Sequence, residues 1–231
     1  MRKVPLVTGE YYHVYNRGVD RRCTFEDGVD YGKLYQSLYL FNDANYRNTG
    51  HEQYFNETLL AAHEVLQDER NPYVSVLSYC LMPNHFHLML LQRQDGGISK
   101  FLHKLGIAYT QHFNKRYDRT GSLFESTFKV VHVENDAQLL HLPRYVHCNA
   151  LDLTALNWRE GQVKDWGVAQ SFLDSFPWSS HRVYMGDKQE LPVIDLAEAR
   201  KIFPDVASYT SFLKEWATRE LPCDLVTPRA S

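Results

Sequence analysis

His85 and His87 are two histidines separated by a single residue in this chain of 231 residues. On a β-strand, side chains alternate between the two faces, so both imidazoles would point to one side and Phe86 to the other. Two neutral imidazoles about 6 to 7 Å apart can bind one metal ion together if a third ligand comes from elsewhere in the fold. Since the chain has 11 histidines, two polar residues at a strand edge remain an alternative interpretation.

Tyr145 and Asn149 form a second pair, four residues apart. On a helix this spacing puts both side chains on one face, where a phenol beside an oxygen ligand suits a metal-assisted tyrosine nucleophile. The alternatives are a core tyrosine, since the chain has 15 of them, and an asparagine that ends the helix. His141 lies four residues before Tyr145 and would share its face, but Pro143 between them disturbs the helical geometry.

The surrounding residues predict the elements that must position these side chains. Alternating apolar residues predict strands over 11–16, 74–81, 85–92 and 127–133, with a turn at Pro83-Asn84 that makes the middle two a hairpin. Helical spacing predicts helices from about 31 to 41, over 59–66, over 98–113, and from Asn135-Asp136 towards residue 153. The resulting order, β-α-(insert)-β-β-α-β-α, is that of an α+β, ferredoxin-like (split βαβ) antiparallel sheet with helices packed on it. A helical C-terminal extension follows.

The composition is that of a globular protein, with 44% hydrophobic and 23% charged residues, and it excludes wholesale disorder. No apolar run approaches the roughly 20 residues of a membrane helix. The N-terminus lacks the apolar stretch of a secretory signal, so we expect a cytoplasmic protein without a membrane partner. The four cysteines form no C-x-x-C pair, which argues against a zinc ribbon.

The net charge of −3 hides an uneven distribution along the chain. Residues 1–22 and 99–132 are net +3 and +4, whereas 42–70 is net −4 and is typical of an acidic insertion. The basic segments predict contacts with nucleic-acid phosphates, and the many aromatic residues predict stacking on unpaired bases. The alternative is a solvated helix face. The predicted DNA-binding residues are Arg17, Arg22, Lys100, Lys104, Lys115, Arg116 and Arg119.

Five short motifs follow one another along the chain. They are HVYNRG at 13–18, MPNHFHL at 82–88, RTGSLFE at 119–125, LPRYVHCN at 142–149 and WSSH at 178–181. Together and in this order they resemble the motifs of the REP-associated tyrosine transposases, a branch of the single-tyrosine His-hydrophobic-His (HUH) transposases. The resemblance spans about residues 11 to 185. Two positions depart from the family pattern: Ala150 replaces the usual proline, and Cys148 stands where an aliphatic residue is common.

The resemblance implies a role for each residue of the two pairs. His85, His87 and Asn149 would hold a divalent ion, Mg²⁺ or Mn²⁺, that polarises the scissile phosphate, and Tyr145 would be the nucleophile. The implied reaction is cleavage and rejoining of single-stranded or hairpin-forming DNA through a covalent 5′-phosphotyrosine. Residues 1–155 would then be the catalytic domain, with the insertion at 42–70, and 156–231 the C-terminal extension.

Three other functions stay open at this point: a domesticated hairpin-DNA-binding protein without cleavage activity, an RNA-recognition-like module, and a metallohydrolase of small molecules. The histidine pair with Tyr145 and Asn149 argues against the first two. The third lacks an acidic general base beside the histidines. The sequence leaves the oligomeric state open between a monomer and a homodimer.

Overall fold

The computed structural model describes residues 4–46 and 70–218. The helix predicted over 59–66 and most of the acidic insertion lie outside the described residues. The strands are β1 (Tyr11–Arg17), β2 (Val74–Met82), β3 (His85–Gln92) and β4 (Lys129–His132). The α-helices are α1 (Gly28–Leu40), α2 (Gly97–Arg116), α3 (Asp136–Cys148), α4 (Trp166–Ser175), α5 (His181–Tyr184), α6 (Leu196–Ile202) and α7 (Val206–Thr218).

The four strands form one antiparallel sheet in the order β2-β3-β1-β4. With α1 between β1 and β2 and α2 between β3 and β4, this is the split βαβ arrangement, and the predicted α+β, ferredoxin-like fold is confirmed. The hairpin predicted at Pro83-Asn84 joins β2 to β3. β3 is a central strand and is buried almost throughout, because helices cover both faces of the sheet.

The two faces of β3 carry different chemistry. Phe86 shares a small cavity with Leu34 of α1 and Leu102 of α2, so these two helices cover the Phe86 face. His87 lies on the other face, where its ring contacts Tyr145 of α3. The sheet therefore separates α1 and α2 from the helix that carries the candidate nucleophile.

Helix α3 begins at an N-cap, where the Asn135 side chain accepts a hydrogen bond from the Gln138 backbone N–H. Pro143 lies inside this helix without splitting it. At Asn149 the chain tightens into a 3₁₀ turn (Asn149–Leu153), so the helix ends earlier than the predicted residue 153.

The C-terminal part of the chain packs against the sheet at β2. Backbone hydrogen bonds join Leu81 to Trp178 and Ser180 to Tyr79, so the segment before α5 runs along the outer edge of β2. Within 4–46 and 70–218, none of the helices is long and apolar enough to span a membrane.

Candidate active site

His85 and His87 project from the same face of β3, with ring centroids 4.9 Å apart. The Nδ1 of His85 lies 2.6 Å from Asn84 Oδ1, and the Nδ1 of His87 lies 2.9 Å from His13 Nε2. Since an amide oxygen only accepts, His85 Nδ1 carries the proton and its Nε2 keeps a lone pair. Burial lowers the pKa of His85 to about 4 and that of His87 well below its ordinary value. Both rings are therefore neutral at pH 7, as metal ligands must be.

His13 belongs to this site although sequence analysis did not single it out. It lies on β1, on the same face as Tyr15, which pairs directly with His87. Its ring stacks on that of His87 at 5.1 Å, and burial lowers its pKa to about 3. If His87 Nδ1–H donates to His13 Nε2, the Nε2 of His87 is left as a ligand. The available signal was the alternation of HVYNRG, which puts His13, Tyr15 and Arg17 on one face.

Tyr145 lies over the histidines. Only 6% of it is exposed, and its ring makes edge contacts with His13 at 5.5 Å and with His87 at 5.6 Å between centroids. The structure thus brings together the two sequence motifs that carry the histidine pair and the candidate nucleophile, which are almost 60 residues apart in the chain.

Asn149 is fully buried one turn after Tyr145. Its Nδ2 donates to the Tyr145 carbonyl oxygen at 2.5 Å, and its Oδ1 accepts from Arg159 Nη2 at 2.9 Å. Among the described residues, no three His, Cys, Asp or Glu side chains form a metal cluster, so a site built on the histidine pair needs a different third ligand. Asn149 Oδ1 has a second lone pair besides the one that accepts from Arg159, and two imidazole nitrogens with one amide oxygen are a donor set that fits Mn²⁺ or Mg²⁺.

Arg159 is the second functional candidate that the sequence did not reveal. Its Nε donates to Asp152 Oδ1 at 3.1 Å, and its Nη2 pairs with Asp152 Oδ2. The Arg159 Cζ lies 5.5 Å from the Tyr145 ring centroid and 4.5 Å from that of Trp158. Burial opposes the charged form, but hydrogen bonds and charge from Asp152, with a smaller contribution from Tyr145, raise the pKa of Arg159. The charged guanidinium of Arg159 is therefore held in place beside the phenol of Tyr145.

His141 does not join the Tyr145 face. Its ring packs against Phe212 and Trp216 of α7, with centroids 5.2 and 4.0 Å away. The reason is tertiary: α3 lies between the sheet and α7, and His141 is on the side that α7 covers.

The predicted DNA-binding residues fall into two groups. Arg17 pairs directly with His85 across β1 and β3, and its side chain binds Glu125 at 2.9 Å. Arg22 is exposed shortly after β1. Of these two, Arg17 lies beside His85.

The remaining basic residues lie on or just after α2, behind the sheet. Lys104 donates to the Tyr73 hydroxyl at 3.1 Å, and Arg116 binds Asp27 and Asp30. Arg119 donates to Asn114 and to the Ser122 carbonyl. Lys100 and Lys115 have exposed side chains. A role in DNA binding stays a prediction for all seven residues.

Comparison with known proteins adds sequence and fold evidence. Residues 40–149 match the model of the IS200-like transposase family. A solved structure described as the REP-associated tyrosine transposase bound to a REP hairpin is similar, with a TM-score of 0.50 and 12% sequence identity. The alignment covers 84% of this chain and 88% of that one. No curated protein matches the sequence significantly. The resemblance predicted from the motifs is thus confirmed, by the family model in sequence and by the solved structure in fold.

Proposed function

Because residues 40–149 match the model of the IS200-like transposase family, we propose that this protein cuts and rejoins single-stranded DNA through a covalent 5′-phosphotyrosine on Tyr145. The observation that carries the proposal is the contact of the buried Tyr145 ring with His87 and His13, with Asn149 one turn further on. The candidate nucleophile thus contacts one of the two candidate metal-binding histidines, and the third candidate ligand follows it at the end of the same helix.

Each residue of the site would have a separate role in the reaction. Tyr145 Oη attacks phosphorus and loses its proton, the P–O3′ bond breaks, and a proton ends on the departing 3′ oxygen. His85, His87 and Asn149 would hold Mg²⁺ or Mn²⁺, which supplies Lewis-acid stabilisation of the charge on the phosphate when bound. One phosphodiester is exchanged for another, so Tyr145 can pass the strand to a second 3′-OH without a nucleotide cofactor.

We propose single-stranded or hairpin-forming DNA as the substrate. The similar solved structure is described as bound to a REP hairpin, Arg17 supplies a cation beside His85, and Arg22 is an exposed cation shortly after β1. We further propose that residues 1–155 form the catalytic domain of a cytoplasmic protein, and that the extension from 156 onwards packs against this domain and completes its site.

Tyr145→Phe tests the chemistry. This variant lacks only the nucleophilic oxygen, so it should keep its fold and its affinity for hairpin DNA but form no covalent adduct. The measurement is a denaturing gel of protein incubated with labelled hairpin oligonucleotides and Mn²⁺. If the variant still forms an adduct, another tyrosine is the nucleophile, and Tyr15, whose ring lies 5.8 Å from that of His87, is the first to examine. A wild-type protein that binds hairpins but forms no adduct would establish the non-cleaving alternative instead.

A further inference from the structure

Arg159 is held in a manner suited to an anion-binding group. Asp152 engages its Nε and Nη2, and the indole of Trp158 packs 4.5 Å from its Cζ. The Trp158 Nε1–H also donates to Asp152 Oδ1 at 2.6 Å, which orients the carboxylate. The guanidinium is thus placed before any substrate arrives, and this reduces the entropy that ordering it would cost.

The guanidinium lies beside the candidate nucleophile Tyr145 and the candidate metal ligand Asn149. Its Cζ lies 5.5 Å from the Tyr145 ring centroid, and its Nη2 donates to Asn149 Oδ1. The bonds to Asp152 and Asn149 use Nε and Nη2, which leaves the Nη1 group for the Tyr145 hydroxyl or for a phosphate oxygen. About 40% of the side chain is exposed, so DNA can reach it.

We propose that Arg159 is a catalytic residue that binds the scissile phosphate of the DNA strand through its guanidinium. This inference rests on the proposed function and assigns a substrate contact to a residue outside every motif. A phosphate bound at Tyr145 Oη would lie close to the guanidinium, since Arg159 Cζ is 5.5 Å from the Tyr145 ring centroid and a side-chain hydrogen bond with Tyr145 contributes to the raised pKa of Arg159. A fixed cation there would bind the phosphate and stabilise the charge that gathers on its oxygens as Tyr145 attacks.

A purely structural role predicts something different. The Asp152 pair and the Asn149 bond would then serve only to close the turn after α3, and loss of Arg159 would weaken binding of every DNA equally. Coupling between Arg159 and one particular phosphate distinguishes the two roles.

The test compares protein and DNA changes together, in the Tyr145→Phe background so that no strand is cut. A series of hairpin oligonucleotides carries one neutral methylphosphonate each, placed at successive linkages of the single-stranded flank. Adding Arg159→Gln should weaken binding of the natural oligonucleotide about tenfold, the effect of one charge-assisted hydrogen bond. For one oligonucleotide of the series, Arg159→Gln should leave the dissociation constant almost unchanged, because the neutral methylphosphonate has already removed the charge that Arg159 contacts. That linkage should be the one that the wild-type protein cuts. Fluorescence anisotropy measures the dissociation constants.

Arg182→Gln is the matched control, because Arg182 also forms an exposed pair with an aspartate, Asp187, at 2.7 Å. It should change the affinity for none of the oligonucleotides. Equal weakening by Arg159→Gln at all linkages, or coupling only to a linkage that is not cut, would overturn the inference.

A kinetic measurement separates this inference from the proposed function. With Tyr145 present, Arg159→Gln should slow adduct formation at saturating DNA by about 100-fold or more, and Arg159→Lys should restore part of the rate. If the wild-type protein and Arg159→Gln form the adduct equally fast, the inference fails and the proposed function stands. If the wild-type protein forms no adduct, the proposed function fails, and the affinity series alone decides whether Arg159 binds a specific phosphate.

Discussion

At the scale of single residues, the candidate site depends on imidazoles that are kept neutral by burial and oriented by hydrogen bonds. Asn84 holds the Nδ1 of His85, and His13 holds the Nδ1 of His87. Mutation of a residue that orients a metal ligand in this way commonly lowers the metal affinity 10- to 100-fold. His13 should therefore matter for metal binding without being a ligand.

His13→Ala tests this role. It removes the partner of His87 Nδ1, so Mn²⁺ affinity should fall about tenfold or more, whereas His13→Gln keeps a hydrogen-bonding group and should lose less. Titration of Mn²⁺ into the protein without DNA, followed by electron paramagnetic resonance, gives the affinity. His103→Ala, at an exposed position of α2, is the control. Unchanged Mn²⁺ affinity in His13→Ala would show that the histidine contact does not orient His87.

At the scale of elements, a buried hydrogen-bonded chain joins α3 to the C-terminal helices. His147 of α3 binds Ser180 Oγ through Nε2 and Tyr209 of α7 through Nδ1, each at 2.7 Å. The Tyr209 hydroxyl also bonds His181 Nδ1 at 2.7 Å, and His181 Nε2 lies 2.9 Å from Asp174 of α4. Because His147 lies two residues after Tyr145, the C-terminal extension fixes the position of the helix that carries the candidate nucleophile.

Tyr209→Phe should lower the free energy of unfolding by about 1 to 3 kcal/mol, since two buried imidazole nitrogens lose their partner. Urea denaturation followed by circular dichroism measures the change. Tyr11→Phe is the control, because within the described residues no hydrogen bond involves its hydroxyl. Equal stability of Tyr209→Phe and the wild-type protein would mean that packing alone holds α7 against α3.

At the scale of the whole molecule, stability should depend strongly on pH. Burial lowers the pKa of His13 to about 3 and, with Arg144 adding to the effect, that of His141 to about 4. The unfolded chain, with histidine pKa values near 6.5, then binds more protons than the folded protein does below that pH. The contribution of these neutral buried histidines to the free energy of unfolding is therefore complete above about pH 6.5, and it is lost as the pH falls towards 4 and 3.

We expect each such histidine to cost up to about 1.4 kcal/mol of unfolding free energy per pH unit below about 6.5. Urea denaturation at pH 7.5, 6 and 5, without metal, tests this. His141→Leu should make the pH dependence shallower, because within the described residues His141 Nδ1 has no hydrogen-bond partner and the ring packs on apolar groups. An unfolding free energy that is the same at pH 7.5 and 5 would contradict the expectation.

The proposed DNA binding is the second property that belongs to the whole molecule. If about five lysines and arginines contact phosphates, the logarithm of affinity for single strands should fall with log salt at a slope near −3.5. Arg22→Gln should flatten this slope by up to about 0.7. Lys100→Gln should change it less, since α2 lies behind the sheet from Tyr145. A salt titration of the Tyr145→Phe protein with a hairpin, its unpaired form and a duplex gives the slopes. Tightest binding to the duplex would reject the single-strand hypothesis.

The sequence by itself determined the element types and the face on which neighbouring side chains lie. Alternation along 85–92 places His85 and His87 on one side, and the four-residue spacing of Tyr145 and Asn149 places them one helical turn apart. Both depend on local periodicity, which the backbone geometry of strands and helices imposes. The element order was also sufficient to predict the ferredoxin-like sheet.

Only the tertiary structure decided which faces meet. His13 and His87 are 74 residues apart, and their contact depends on the register of β1 and β3. Arg159 reaches Tyr145 because a 3₁₀ turn folds the chain back after α3. The same packing places the basic residues of α2 behind the sheet and turns His141 towards α7. Such contacts arise from long-range packing that no periodicity of a short segment contains, so the sequence indicated the two pairs but not the residues that complete the pocket around them.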